Sequence, residues 1–436
     1  MSTPELSCLV YAEAGSPRLS YIIDVLWNQQ AAVTSDIEEF LSFGGDKIQY
    51  TPKRIWPNIL HIEAQGLLHS SDIVSCDIAM KEWESLPVFF YGNGDIPFDW
   101  LAASFYLISR YEEYLPYQPD QYDRFPATFS LAYHHDFLQL PLVQVWTARI
   151  REKFQLNSLP EMPEEPDIQV TFDMDELFQY SHLPTGRGWM RLAKNVLKLK
   201  FEAVVTQLKV TLGSIKDPYD HWQDSWHLLE SLRKKPVFFF SGANINRGND
   251  RQLSIEHPAT KAIFQHCEEK GFIGWHPSWT ASQQQSLLQE ELNRLQRIAM
   301  HPLEHSRYHY LRFQLPTSYQ QLEELGIKHE YSMGYGNCNG FRAAYADPYP
   351  WFDLSKNVVT ELIVHPFFYM DTVSIFQRME SPETALNFIE NVKSRCRGVV
   401  RELQLVFHPH ALAEKDRRDL LTNILSQSAI TQRQHL

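Results

Sequence analysis

The sequence has neither paired cysteines nor a long apolar run. Its five cysteines are odd in number and widely scattered, and no Cys-x-x-Cys pair occurs, so neither a disulfide framework nor a thiolate zinc site is expected. No stretch of about 18 or more residues is continuously apolar, which argues against a transmembrane helix. The first residues show no basic stretch followed by an apolar run, so no signal peptide is expected. These absences together predict a cytoplasmic protein with reduced thiols.

Positive charge and glycine-rich loops are also scarce. The 436 residues carry a formal net charge of -13, which argues against a dedicated nucleic-acid-binding protein. The strand–helix pattern of the first part has no phosphate-loop glycines, so a nucleotide site is not supported. No Gly-x-Ser-x-Gly motif occurs, which disfavours a serine hydrolase of that type. A neutral or amine-containing substrate is compatible with this composition.

The length is about three times the ~150 residues expected for one domain, so the chain is expected to divide. The clearest boundary is the linker 157–166, in which proline and glutamate cluster and disfavour helix or central strand. Residues 1–156 alternate short apolar runs with helical patterns, which predicts a smaller accessory α/β domain of unknown role. Its predicted strands are Cys8–Tyr11, Ile59–Ile62 and Val88–Tyr91, and its predicted helices are Arg18–Trp27 and Trp100–Tyr111.

Residues 167–436 show a stronger strand–helix alternation, which predicts an α/β fold with a parallel sheet and, more specifically, a distorted barrel of about seven strands. The predicted strands are Ile168–Phe172, Pro236–Phe240, Phe272–Trp275, Tyr308–Phe313, His329–Ser332, Val358–Val364 and Leu403–Phe407. A helical insertion at 182–235 interrupts this rhythm, and its core from Met190 to Leu212 is basic. One interpretation is an inserted helix that packs on the body of the domain and has a solvated basic face. The other is a functional element, either a lid or a site that meets an anionic membrane or polymer.

Polar side chains follow three of the predicted strands. Asp173 and Asp175 stand two apart on an extended chain, so they share one side at the carboxyl end of a strand, where one carboxylate could bind a divalent metal and the other act as base. His276 and His408 end two further strands and could be a ligand and a general acid. Alternatively, one aspartate caps the next helix or loop and the other is simply solvated. The two histidines could likewise have only a structural role.

In order and placement, these motifs resemble those of the polysaccharide deacetylases of the NodB-homology class, metal-dependent glycan N-deacetylases. TFDMD resembles their first motif, which implies Asp173 as catalytic base and Asp175 as metal ligand. IGWHPSW resembles the second and implies His276 as a ligand, and FHPH resembles the last and implies His408 as the acid. Arg307 lies where the third motif's arginine is expected and would orient the base.

The second motif departs from the family pattern, because Thr280 stands where a second metal histidine is usual. His309 is a possible substitute ligand, and His301 and His305 are weaker candidates. Water or a substrate atom could also fill the position. The whole chain resembles a two-domain subgroup common in Bacteroidetes-type bacteria, whose further markers would be YSMGY at 331–335 and GFR at 340–342.

The resemblance implies hydrolysis of N-acetyl groups on an N-acetylated glycan or glycan precursor, assisted by a divalent metal. Zinc suits one carboxylate and histidine nitrogens. Trp275 and Trp279 could stack on sugar faces or pack in the core, and Arg342 is a candidate substrate contact. One alternative is a degenerate, metal-free glycan-binding or scaffolding protein that keeps the barrel. Another is a different barrel amidohydrolase that acts on a small amide.

Overall fold

The computed structural model describes residues 6–183, 185–220, 226–230, 233–244 and 248–433, which form a mixed α/β structure. The strands are β1 Cys8–Tyr11, β2 Ala31–Thr34, β3 Asp46–Thr51, β4 Leu60–Glu63, β5 Lys81–Trp83, β6 Leu86–Val88, β7 Asp167–Asp173, β8 Val237–Phe240, β9 Phe272–Trp275, β10 His305–Ser306, β11 His329–Glu330, β12 Tyr349–Asp353, β13 Val358–Val364, β14 Tyr369–Met370 and β15 Glu402–Phe407. The α-helices are α1 Pro17–Trp27, α2 Ile37–Ser42, α3 Trp100–Ile108, α4 Leu131–His134, α5 Leu142–Phe154, α6 Thr185–Leu197, α7 Phe201–Thr211, α8 Trp226–Leu229, α9 Pro258–Lys270, α10 Gln285–Gln296, α11 Thr317–Glu324, α12 Pro382–Cys396 and α13 Lys415–Arg433.

The chain divides into two compact units. The first consists of 1–166, 313–368 and 392–403, and the second of 167–312, 369–391 and 404–436. The first division falls after residue 166. Two later segments nevertheless join the first unit, because their side chains and backbone bond to residues of the first 166. Hydrophobic patterning cannot detect such long-range contacts.

The first unit contains a four-stranded parallel sheet in the order β2-β1-β3-β4. Its helix α1 begins where the Ser16 side chain accepts a hydrogen bond from the Leu19 backbone N–H and Pro17 occupies the first turn. It ends at Asn28, which adopts a left-handed conformation with φ 50°. The predicted strand at Val88–Tyr91 is seen only as β6, which pairs antiparallel with β5.

The segment 313–368 of the first unit is anchored by a buried ion-pair network. The Glu113 carboxylate accepts hydrogen bonds from Arg342 Nε at 2.8 Å and Arg342 Nη2 at 2.6 Å. Arg110 Nε also donates to Glu113 at 2.7 Å. Since all three side chains are almost completely buried, each charge depends on its partners for compensation.

The second unit is built on the strand order β10-β9-β8-β7-β15-β14. The pairs β7–β8, β8–β9, β9–β10 and β14–β15 are parallel. Strands β7, β8 and β15 are buried at nearly every position, as expected for central strands of a parallel sheet, and β8 is apolar throughout. Among the described residues of this unit, β10 and β14 do not pair with each other, so the sheet is not closed, and the distorted barrel expected from the sequence stays a prediction.

The predicted fourth strand at Tyr308–Phe313 is wrong. The strand is β10, two residues that pair with Gly274 and Trp275 of β9. The chain then leaves the sheet, because Tyr310 and Leu311 take left-handed conformations with φ 60° and 55° and form a short 3₁₀ turn. This turn places His309 just beyond the strand end.

The described part of the insertion contains α6, α7 and the short α8, and the predicted helical core Met190–Leu212 is divided between α6 and α7. Helix α6 ends at Leu197, Leu199 has a φ of 55°, and α7 begins at Phe201. Gln207 Nε2 of α7 donates to the Gly188 carbonyl of α6 at 2.8 Å. No helix in the described ranges combines the length and the apolar character needed to cross a membrane.

Candidate active site

Four strands of the second unit deliver polar side chains to one edge of the sheet. Asp173 ends β7 and Asp175 follows it, while His276 follows β9. Arg307 and His309 follow β10, and His408 and His410 follow β15. Because carboxyl ends of neighbouring parallel strands meet at the same edge, the fold gathers residues that are more than 200 positions apart in sequence.

The Asp173 carboxylate is fixed by a hydrogen bond from Arg307. Arg307 Nη1 donates to Asp173 Oδ1 at 2.8 Å and to Thr171 Oγ1 at 2.9 Å, and its guanidinium lies over the Phe239 ring. Burial raises the pKa of the Asp173 carboxyl, but the charge and hydrogen bond of Arg307, together with the nearby His276 and His408, outweigh burial and lower the pKa below its ordinary value. Asp173 is therefore an ionised carboxylate with a fixed orientation.

Asp175 lies between two histidines. His309 Nε2 is 3.6 Å from Asp175 Oδ2, and His410 Nδ1 is 3.7 Å from Asp175 Oδ1. Burial opposes ionisation, yet the approach of these two rings holds the pKa of the Asp175 carboxyl well below its ordinary value. The site thus contains a second carboxylate that stays charged.

His276 has one ring nitrogen fixed and the other open. Its Nδ1 lies 2.6 Å from the backbone carbonyl of Arg307, which must accept, so the proton is on Nδ1. Its Nε2 is buried and has no hydrogen-bond partner among the described residues. Burial lowers the pKa of His276 to about 4, so the ring is neutral and Nε2 presents a lone pair. This is the tautomer that a metal-binding histidine uses.

His309 is oriented by a carboxylate on its far side. Its Nδ1 lies 3.3 Å from Asp250 Oδ1, while its Nε2 faces Asp175. Burial lowers the pKa of His309, but the two carboxylates outweigh burial and raise it to about 9. In the absence of a metal, this histidine is an imidazolium between two aspartates.

His408 forms the strongest carboxylate–histidine pair of the site. Its Nδ1 is 2.7 Å from Asp371 Oδ1, and Asp371 Oδ2 accepts the His408 backbone N–H at 2.7 Å. The opposite nitrogen, Nε2, is 3.7 Å from Asp173 Oδ2. Burial lowers the pKa of His408, but the charge and hydrogen bond of Asp371, together with the charges of Asp175 and Asp173, outweigh burial and raise the pKa to about 10. His408 therefore carries a proton at neutral pH.

The donor chemistry of Asp175, His276 and His309 fits a divalent metal. His276 Nε2 is an orphaned buried nitrogen, and both histidines are held from behind by a carbonyl or a carboxylate, as metal ligands are. Their positions fall short of a preformed site: no group of three or more His, Cys, Asp or Glu side chains in the described ranges could hold a metal ion as it stands. Coordination of a metal by His309 would require this ring to lose its proton.

The three predicted substrate residues have different surroundings. Trp275 is completely buried within β9. Trp279 is partly buried beneath the Arg312 guanidinium, 4.6 Å from its ring centre. Arg342 belongs to the first unit, where Glu113 occupies its guanidinium. Trp275 and Arg342 are therefore buried, whereas Trp279 keeps part of its surface exposed, and its contact with a sugar stays a prediction.

The remaining metal-ligand candidates have other surroundings. Thr280 donates its hydroxyl to Asp250, the carboxylate that also orients His309. His301 is exposed after α10, and the His305 ring packs against Phe272. His309 alone of the three substitute candidates stands beside Asp175 in the described structure.

Sequence reasoning missed Asp250, Asp371 and His410. Asp371 directly follows the short strand β14, so it carries the same signal as Asp173, a polar residue after a buried strand. His410 stands in the FHPH motif, two residues after His408. Asp250 lies in a loop with no periodic pattern, and the hydrogen bonds that its carboxylate accepts from the backbone N–H groups of Trp279 and Thr280 are visible only in three dimensions.

Comparison with protein families matches the first part of the chain. A family model described as a family of unknown function, DUF7033, matches residues 8–158. Comparison with curated protein sequences gives no match.

Comparison with solved structures gives distant similarities. A protein from Mycobacterium smegmatis, described as a "putative polysaccharide deacetylase", has 15% identity and a TM-score of 0.38, over 63% of this chain and 96% of its own. A CE4 family pseudoenzyme from Bacillus anthracis has 7% identity and a TM-score of 0.32, over 63% of this chain and 64% of its own. A mutant of a CE4 family pseudoenzyme with restored enzymatic activity has 8% identity and the same TM-score, 0.32, over 63% of this chain and 66% of its own. These values are too low for the similarity to assign an activity.

Proposed function

We propose that the second unit hydrolyses the N-acetyl group of an N-acetylated sugar, oligosaccharide or glycan precursor. The observation that carries the proposal is the pairing of a fixed carboxylate with a protonated histidine: Asp173 is 2.8 Å from Arg307, and His408 Nε2 is 3.7 Å from Asp173. Amide hydrolysis needs a base that removes a proton from the attacking water and an acid that protonates the departing amine. The two groups have the opposite charge states that these roles require.

Each role follows from the surroundings of the residue. Asp173 is an ionised acceptor whose orientation is set by Arg307, so it can take the proton of the attacking water. His408 holds its proton on Nε2 because Asp371 occupies Nδ1, so it can deliver that proton to the amine. His276 and Asp175 stand beside this pair and complete the polar edge.

A divalent metal belongs to this proposal. Asp175, His276 and His309 would hold it, and zinc matches a set of one carboxylate and two imidazoles. When bound, such an ion polarises the amide carbonyl and lowers the pKa of a bound water. The neutral His276 ring is already in the required tautomer, whereas His309 must first give up its proton.

Asp173→Asn tests the base. The variant should lose at least about 100-fold in acetate release from N-acetylated oligosaccharides, a typical contribution of general acid–base catalysis, while its metal content stays unchanged. Asp167→Asn, at the opposite end of the same strand, is the matched control and should keep wild-type activity. Unchanged activity in Asp173→Asn would refute the assignment of the base.

A second candidate function is metal-free binding of glycans by the same edge of the sheet. It is favoured by the absence, in the described ranges, of a group of side chains ready to hold a metal. In this case His309 would remain an imidazolium that joins Asp175 and Asp250.

Elemental analysis of the purified protein and an acetate-release assay with added zinc separate the two functions. Metal binding near one equivalent together with acetate release supports the hydrolase. Binding of N-acetylated oligosaccharides without metal and without acetate release supports the second function.

A further inference from the structure

The helical hairpin of α6 and α7, residues 185–212, exposes an unusual concentration of large apolar side chains. Ten of the 25 exposed large apolar residues in the described ranges lie between 189 and 215. Trp189 is 67% exposed, Leu197 83%, Leu199 71% and Leu212 78%. Contiguous exposed apolar surface of this kind marks a site of interaction.

The exposed apolar residues of α7 lie on one face. Phe201, Val205, Leu208 and Leu212 are spaced by four, three and four residues, which places them along one side of a helix. All four are exposed, whereas Gln207 and Val210 on the other side are buried. The stripe therefore faces away from the rest of the second unit.

Basic residues accompany this apolar surface. Residues 185–216 contain seven Lys or Arg and one Glu, in a chain whose net charge is -13. Lys194, Lys198 and Lys200 are exposed around the turn between the helices, next to Leu197 and Leu199. A helical element with exposed apolar and basic side chains together fits the interface of an anionic bilayer.

The base of the hairpin is firmly held. The Asp217 carboxylate accepts the backbone N–H groups of Gln179 at 2.8 Å and of Tyr180 and Ser181 at 2.7 Å. Arg191 Nη1 donates to the Gln179 carbonyl at 2.5 Å. These bonds join the segments that enter and leave the hairpin, so its apolar face is presented by an anchored element.

We infer that hairpin 185–212 lies on the surface of an anionic lipid bilayer. Its apolar face would enter the headgroup–acyl boundary while its lysines contact anionic headgroups. The basic side of the hairpin is continuous with the candidate site, because Arg191, Lys194, Lys198 and Lys200 line a cavity of about 650 Å³ that also includes Asp175. The inference does not depend on the proposed hydrolysis.

Flotation of the full-length protein with lipid vesicles tests this inference. Vesicles of phosphatidylglycerol and phosphatidylcholine should bind the protein, and vesicles of phosphatidylcholine alone should bind it much more weakly. Lys194→Gln/Lys198→Gln should weaken binding about thirtyfold, since each basic residue near an anionic surface contributes roughly fivefold. Leu197→Ser/Leu199→Ser should weaken binding to the same vesicles by at least tenfold, an order-of-magnitude estimate from apolar burial.

Matched controls carry the same substitutions on exposed residues elsewhere. Met300→Ser/Met379→Ser and Lys261→Gln/Lys415→Gln should bind as the wild type does. Far-ultraviolet circular dichroism of every variant checks that the fold is kept. Absence of binding to anionic vesicles, or equal binding to neutral ones, would overturn the inference. So would a dimer in solution that the Leu197→Ser/Leu199→Ser variant dissociates, since a second copy would then cover the hairpin.

Discussion

At the level of single residues, the burial of each histidine and the group that its Nδ1 contacts together determine whether the ring is protonated. Nδ1 of His276 faces only a carbonyl, whose hydrogen bond does not offset burial, so burial lowers the pKa of His276 to about 4 and the ring stays neutral. Nδ1 of His408 faces the Asp371 carboxylate, so its ring is protonated, with a pKa of about 10. Two histidines of the same polar edge therefore differ in charge: His276 is neutral and His408 is positive. Neither charge state follows from the sequence motif.

Asp371→Asn should change the pH dependence of acetate release. Without the carboxylate, the pKa of His408 falls, and a general acid is active only below its pKa. The decline of activity on the alkaline side should therefore move to lower pH by at least about one pH unit. A pH–rate profile of kcat measures this shift, and Asp419→Asn on the surface of α13 serves as control. A lower rate with an unshifted profile would show that Asp371 only supports the fold.

At the level of elements, the contact between β8 and β9 depends on a residue without a side chain. A Cβ at Gly274 would lie 2.4 Å from the Phe239 ring, far inside van der Waals contact. Phe239 in turn packs under the guanidinium of Arg307. The spacing of these two strands, and with it the placement of His276 and Asp173, therefore requires glycine at this position.

Gly274→Ala should lower the free energy of unfolding by about 1–3 kcal/mol, the usual cost of overpacking a core. Urea denaturation monitored by tryptophan fluorescence measures this loss. Gly15→Ala is the matched control, because no atom lies within 4 Å of a Cβ built there. Equal stability of the two variants would mean that the sheet accommodates the methyl group by a small shift.

At the level of the whole molecule, buried ionisable groups couple stability to pH in the first unit as well. Asp99 is completely buried at the start of α3, where it accepts hydrogen bonds from Tyr50 Oη and the backbone N–H groups of Gln65 and Ala102. Burial raises the pKa of Asp99 to about 6, and these hydrogen bonds only partly oppose the shift. A folded-state pKa above the unfolded value favours the folded state at low pH.

Asp99→Asn should remove this dependence. In the wild type, the stabilisation from Asp99 is complete below about pH 4 and is lost as the pH rises through about 6, a change of ~3 kcal/mol. Denaturant unfolding between pH 4 and pH 8 should show that decline in the wild type and a flatter curve in Asp99→Asn. Asp36→Asn, at the exposed N-terminus of α2, should follow the wild type. A variant as steep as the wild type would contradict the assignment to Asp99.

Hydrophobic patterning predicted the strands correctly where a strand is defined by neighbouring residues. The buried strand before Asp173, the strand before His276 and the strand before His408 were predicted from continuous apolar runs and are confirmed as β7, β9 and β15. Pattern failed at Tyr308–Phe313, because an apolar run there is broken by left-handed backbone conformations that periodicity does not encode. It also missed Asp250, whose loop has no periodicity.

The sequence by itself determined the α/β class, the strand ends and which polar residues stand at them, because apolar runs and their interruptions are properties of neighbouring residues. Only the tertiary structure decided the partners: Asp371 for His408, Asp250 for His309 and the Arg307 carbonyl for His276. It also assigned 313–368 to the first unit and left the second-unit sheet open. The physical reason is that charge state, tautomer and strand pairing depend on groups brought together from distant positions of the chain, and no local pattern records those distances.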